Sequence, residues 1–141
     1  MTVEMDAQAL EGFLAEAFPQ VAGDFRIEEV EAERLVVRLI TQGKHLRPGG
    51  TVSGPSMFAL ADVGIYLAVL ARLGPVALAV TTNCSIDFMR KPEAGKDLIA
   101  EARLLKLGRV LAVGDVLIRS EGSDKVVARA SLTYSIPPAG S

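Results

Sequence analysis

The chain has 141 residues, enough for one domain with its own core and too few for two of ordinary size, so residues 1–141 are expected to form a single domain. Half of the residues are hydrophobic, 23% are charged and the mean hydropathy is +0.33, which excludes disorder and leaves a chain so apolar that burial against other copies is expected. The net charge of -2 hides an asymmetry: residues 1–33 hold nine acids against Arg26 alone, leaving a basic remainder that suits an anionic small molecule, whereas scattered cations and 5% aromatics without Trp exclude a nucleic-acid platform.

Residues 6 to 18 place Leu10, Phe13, Leu14, Ala17 and Phe18 at helical spacing, and Pro19 is expected to stop the run. Acids and the lack of an early basic segment argue against a signal peptide, so the cytoplasm is the expected compartment. Arg26 to Glu31 and Arg34 to Ile40 read as two strands joined through Ala32-Glu33. Thr41 to Ser53, with Gly43, Pro48, Gly49 and Gly50, reads as a loop. Pro55 fits a helix start, with Ser53 or Gly54 as cap, and the helix should run to Arg72 or Leu73 before Gly74-Pro75 ends it. Residues 55–80 are nearly all apolar, but Asp62, Arg72 and Gly74-Pro75 interrupt them, so a buried core helix and a strand are expected rather than a membrane span. Val76 to Met89, Asp97 to Leu107, Arg109 to Arg119 and Lys125 to Ile136 follow as strands with short turns, expected to form an antiparallel meander. Two strands, a helix apolar on every side and four strands predict an α+β hotdog fold, a curved antiparallel sheet wrapped around a long central helix with a short N-terminal helix. The alternative is an α+β sandwich with the helix on one face.

Asp62 is the only charged side chain between Pro55 and Leu70. A buried carboxylate costs several kcal/mol unless it is paired, bonded or open to a cavity, so Asp62 is either catalytic or held by a loop, Arg47 or Arg72. The Gly-rich turn before the helix leaves the Gly54 N–H free beside a positive dipole end, suited to an oxyanion or simply to capping. His45, the only histidine, reads as a polar loop residue and a poor metal ligand. Cys84 reads as a buried thiol, since its strand supplies no partner for a thiolate. Thr81, Asn83, Ser85 and Asp87 are expected to line one strand face, and Arg90, Lys91, Lys106 and Arg109 are either surface charges or phosphate contacts.

His45-Leu-Arg47-Pro-Gly-Gly50-Thr-Val-Ser53-Gly54-Pro55 with Leu60-Ala61-Asp62 resembles the signature of PaaI-like hotdog acyl-coenzyme A thioesterases. That signature is His, any, Asn, two any, Gly, two any, His-Gly-Gly, then Asp eight residues after the first Gly of the triplet. The likeness continues through Thr81-Thr-Asn83, Phe88-Met-Arg90-Lys91-Pro92 and Lys106-Leu-Gly108-Arg109-Val-Leu-Ala112 and spans about residues 41 to 136. It implies hydrolysis of a small, medium-chain or aromatic acyl-CoA without metal or cofactor. Asp62 would activate water or attack the thioester, Gly54 N–H would polarise its carbonyl and Thr81 would help to place the water. His45, Arg47, Ser53, Asn83, Arg90, Lys91 and Arg109 are the implied substrate contacts. Arg47 stands where the family has Asn, and Ser53-Gly54-Pro55 where it has His-Gly-Gly, so leaving-group contacts and substrate range are expected to differ. The competing classes are a non-catalytic acyl-CoA or lipid-binding module and a hotdog dehydratase, which would need a histidine beside an acid. A homodimer or homotetramer is expected, because an open edge on the long strand Val76 to Met89 invites pairing.

Overall fold

The computed structural model describes residues 3–138. Helix α1 (Ala7–Ala17) starts at Asp6, whose carboxylate accepts the Ala9 N–H at 2.9 Å. The first helix ends at Ala17 with Phe18 as its C-cap, just before Pro19 as expected, but the proline does not end the helical region. It opens a second short helix, α2 (Pro19–Ala22), because a helix start needs no proline N–H. Strands β1 (Phe25–Val30) and β2 (Arg34–Leu39) form the expected hairpin, closed by the Glu31 N–H on the Arg34 carbonyl at 2.8 Å.

Helix α3 (Gly54–Leu73) begins where expected: Ser53 is extended and accepts the Ser56 N–H at 3.3 Å, and Gly74 closes the other end with φ 87. By length and composition α3 could cross a membrane, but 61% of its apolar stretch is buried in the fold. Strands β3 (Val80–Phe88), β4 (Leu98–Leu107), β5 (Leu111–Ser120) and β6 (Val126–Ser135) complete one antiparallel sheet in the order β1-β2-β4-β5-β6-β3. The expected meander therefore holds for β4, β5 and β6 only. Strand β3 pairs with β6 at the far edge, because α3 carries the chain across the sheet before β3 begins.

The sheet curls around α3 in the hotdog arrangement. The close approach is visible at Gly114 in β5, where a Cβ would sit 2.5 Å from Ile65 Cδ1 and 2.7 Å from the Arg103 carbonyl oxygen. Leu60, Ile65, Leu67, Leu98 and Ile118 are fully buried between helix and sheet. Cover is less complete than a helix apolar on all sides suggests, for Phe58 is 40% exposed. Leu10 and Leu14 of α1 pack into the same core and close part of the side that the sheet leaves open.

Candidate active site

Asp62 lies on the half-buried side of α3, one residue beyond the buried row Leu60-Ala61. Both hydroxyls that reach it bind the same oxygen. Thr81 Oγ1 donates to Asp62 Oδ1 at 2.5 Å and the Tyr134 hydroxyl donates to it at 2.6 Å. Asp62 Oδ2 has no partner among the described residues, and no ion pair there involves Asp62. Arg72 donates to the Ala32 carbonyl at 2.9 Å, and Arg47 lines a different cavity, so neither expected arginine partner is used. Tyr134 also lies 3.1 Å from the Asp62 carbonyl oxygen, but its single proton is best placed on the shorter, charged acceptor. Burial, then the hydrogen bond to Asp62, pushes the Tyr134 phenol far above its ordinary ionisation, so it remains a donor.

These groups open into a cavity of about 430 Å³, lined by Leu14, Phe18, Val21, Val63, Tyr66, Ala79 and Val80 besides Asp62, Thr81 and Tyr134. Phe18, at the joint of α1 and α2, meets Tyr66 edge-on with ring centroids 5.6 Å apart, and Tyr66 lies 6.2 Å from Tyr134. The Tyr66 hydroxyl is taken up by the Ala77 carbonyl at 3.1 Å. The result is an apolar chamber with one carboxylate at its edge.

A second cavity, of about 440 Å³, surrounds Gly54 and is lined by Arg47, Met57, Phe88, Arg90 and Lys91 among others. The Gly54 N–H opens α3 at its positive dipole end and has no acceptor among the described residues. A Cβ here would lie 3.3 Å from Phe88 Cζ, so glycine lets the ring close over the helix start. Within one chain the two cavities stay apart, since Gly54 and Asp62 are separated by roughly 12 Å along the helix. Gly54 packs at the end of β3 and Asp62 bonds near its beginning.

The remaining candidates divide in the same way. Ser53 caps α3. His45 is not in an open loop: it is 7% exposed, its Nδ1 accepts the Gln42 N–H at 3.0 Å, and its Nε2 lies 3.6 Å from Asp24 Oδ2. The Gln42-Gly43-Lys44-His45 turn folds the ring inward, and its polar partners are Gln42 and Asp24 rather than Asp62. Asn83 does not share the face of Thr81. A bulge at Thr82 shifts the register, so Thr81 pairs with buried Tyr134 while Cys84, Ile86 and Phe88 take the inner positions. Asn83, Ser85 and Asp87 are thereby turned to the outer face, opposite Thr133, Ser131 and Arg129. Cys84 is half-buried rather than buried as expected, because β3 is a sheet edge; burial and then the charge of Asp62 raise its ionisation. Arg109 lies in the β4–β5 turn at the Thr81 end of the sheet, because β5 follows it and sets Ala112 opposite Tyr134. Of the basic residues expected to favour an anion, Arg34 is occupied by Glu29, Glu31 and Glu101, and Arg38 by Glu28, Asp97 and Glu121.

Tyr134 is the site residue that sequence reading missed. Its signal was a hydroxyl in the inward parity of β6, after Ala128, Ala130 and Leu132, but the acid it serves is 72 residues away.

The comparisons agree with this architecture. Residues 49–127 match the family model described as thioesterase superfamily. The crystal structure of a candidate thioesterase from Silicibacter sp. TM1040 is 60% identical, with a TM-score of 0.92 over 98% of this chain and 96% of that one. A mutant form of the phenylacetic acid degradation protein PaaI from Thermus thermophilus is 31% identical, with a TM-score of 0.72 over 84% and 99%. Acyl-coenzyme A thioesterase 13 of Homo sapiens is 24% identical over 117 residues, 82% of this chain and 81% of the human protein.

Proposed function

The chain belongs to the thioesterase superfamily and is a PaaI-like thioester hydrolase, and we propose that residues 1–141 act as one domain that hydrolyses acyl-coenzyme A, with the Asp62 carboxylate as the general base. The observation that carries the assignment is the Asp62 carboxylate at the edge of an apolar chamber, bonded through one oxygen and open at the other. The human relative supports the coenzyme A thioester as substrate class.

The Thr81 proton is committed to Asp62, so toward a water molecule Thr81 Oγ1 acts as acceptor. A water donating one hydrogen to Thr81 Oγ1 and the other to Asp62 Oδ2 presents a lone pair to the thioester carbonyl. Asp62 Oδ2 takes the proton as the water oxygen bonds to the carbonyl carbon, and the Gly54 N–H holds the resulting oxyanion. Collapse breaks the carbon–sulfur bond, and the proton on Asp62 passes to the departing thiolate, leaving acid and thiol. The acyl group, medium-chain or aromatic, occupies the chamber under Phe18 and Tyr66.

The donor and the acid come from two copies in this reading. Strand β3 is a sheet edge, and Val80 and Phe88 are 56% and 52% exposed on it. Antiparallel pairing of two β3 strands about Cys84 brings Gly54 and Phe88 of one subunit toward Thr81 and Asp62 of the other. The phosphates of coenzyme A would then meet Arg47, Arg90 and Lys91 beside Gly54, together with Arg109 of the partner subunit.

Thiol release across a panel of short, medium and aromatic acyl-CoA esters tests the proposal, with Asp62→Asn run beside the wild type. The expected result is turnover of at least one ester and a loss of about 10²- to 10⁴-fold in the variant. Variant turnover within a few-fold of wild type would remove Asp62 from the chemistry.

A further inference from the structure

Asp62 Oδ1 is the only carboxylate oxygen in the fold that receives two side-chain hydroxyls among the described hydrogen bonds, one from β3 and one from β6. Two strands thus hold one carboxylate from the same side. The Tyr134 ring is 3% exposed, fixed by β6 and packed toward Tyr66, so its hydroxyl has little freedom to turn elsewhere. The phenol gives its one proton to the carboxylate at 2.6 Å while standing 3.1 Å from the Asp62 carbonyl oxygen, and that bond to a rigid ring restrains the side chain's rotation relative to its own helix.

From this geometry we propose that Tyr134 is a positioning residue for thioester hydrolysis: by binding Asp62 Oδ1 it locks the carboxylate with Oδ2 directed at the reacting water. The proposal rests on the assignment of the Asp62 carboxylate as the catalytic base. A carboxylate held only by Thr81 keeps one hydrogen bond about which it can swing, and its two oxygens then compete for the Thr81 hydroxyl. With both donors present, Oδ1 is saturated and Oδ2 alone faces the substrate. The Tyr134 hydroxyl is spent on Asp62 and bonds neither the water nor the thioester carbonyl in this reading, and Phe keeps the ring that lines the chamber, so loss of the hydroxyl acts on the reaction step and leaves substrate binding in place.

The experiment is Tyr134→Phe in the full chain, assayed with whichever of benzoyl-CoA and hexanoyl-CoA the wild type turns over faster, beside Asp62→Asn. The ring and its packing stay, and one charge-assisted hydrogen bond goes. The expected result is a fall in kcat of about tenfold to a hundredfold, with KM within about threefold of wild type. Should the variant fail to fold, 4-fluorophenylalanine at position 134 fills the space of the hydroxyl without donating and is read in the same way. A kcat within threefold of wild type, or a loss confined to KM, overturns the proposal. If Asp62→Asn is inactive while Tyr134→Phe is unimpaired, the positioning role alone fails. If Asp62→Asn is itself active, the underlying assignment fails.

Discussion

Whether one active site draws on two chains can be decided by complementation. Gly54→Pro removes the N–H proposed to hold the oxyanion; Ser53 before it has φ -75 and ψ 157, the extended conformation required before proline, while residue 54 itself precedes Pro55, so the fold of the variant is checked alongside its activity. The nearest atoms a Cβ would meet all belong to the half-exposed Phe88 ring, Cζ at 3.3 Å, Cε1 at 3.6 Å and Cε2 at 3.7 Å. Asp62→Asn removes the acid. Each variant alone damages every site, with an expected loss of about 10²-fold or more. In a mixed dimer with shared sites, one site holds both damaged groups and the other holds neither, so tag-purified heterodimers should recover about half of wild-type activity. If each site lies within one chain, every site in the mixed dimer carries one lesion and activity stays near about 1% or below. Light scattering establishes that the mixed species is a dimer and circular dichroism that it is folded. Folded heterodimers as inactive as their parents would refute the shared site, and a monomeric mass at micromolar concentration would refute it sooner.

Two further outcomes concern the fold. Gly114→Ala drives a methyl group against Ile65 Cδ1 and the Arg103 carbonyl, 2.5 and 2.7 Å away, and should lower stability by about 1–3 kcal/mol in urea denaturation. An unchanged midpoint would show that helix and sheet can separate there freely. Burial opposes ionisation of Asp97, but the Thr41 N–H at 2.9 Å and Arg38 outweigh it and hold the folded carboxylate below its ordinary 3.8. A depressed folded value adds stability above pH 3.8 that is lost as pH falls through the folded value, so Asp97→Asn should be less stable near neutrality and flatten the acid limb of the melting curve below about pH 4. Parallel acid limbs for variant and wild type would contradict this.

Local signals carried the reading of α3: Ser53, Pro55 and Gly74 bound it, and Asp62 stands out because a lone charge in an apolar helix needs a reason. What stayed hidden depends on partners distant in sequence. The bulge at Thr82 leaves no composition signal, yet it decides that Thr81 faces Asp62 and Asn83 does not. Burial of His45 depends on Asp24, 21 residues earlier and across a strand pair. Tyr134 becomes visible only once β3 is known to pair with β6, a pairing that the short turns of a meander argue against. Alternation and caps are written over a few residues, whereas strand order is settled by which faces α3 and the sheet can bury together.

The walls of the Asp62 chamber are supplied from separate stretches of the chain. Leu14, Phe18 and Val21 precede the first strand, whereas Gly54, Asp62 and Thr81 lie within 28 residues of one another in the middle. Residues 14–21 contribute no strand to the sheet and meet the chamber as a cover laid over a finished frame. A change of side-chain size at half-buried Val21 can therefore reshape the room more freely than one at Leu14, which belongs to the core, or at Phe18, which reaches Tyr134 through Tyr66. On the proposed reading, the fit of an ester and its cleavage thus draw on different stretches of the chain.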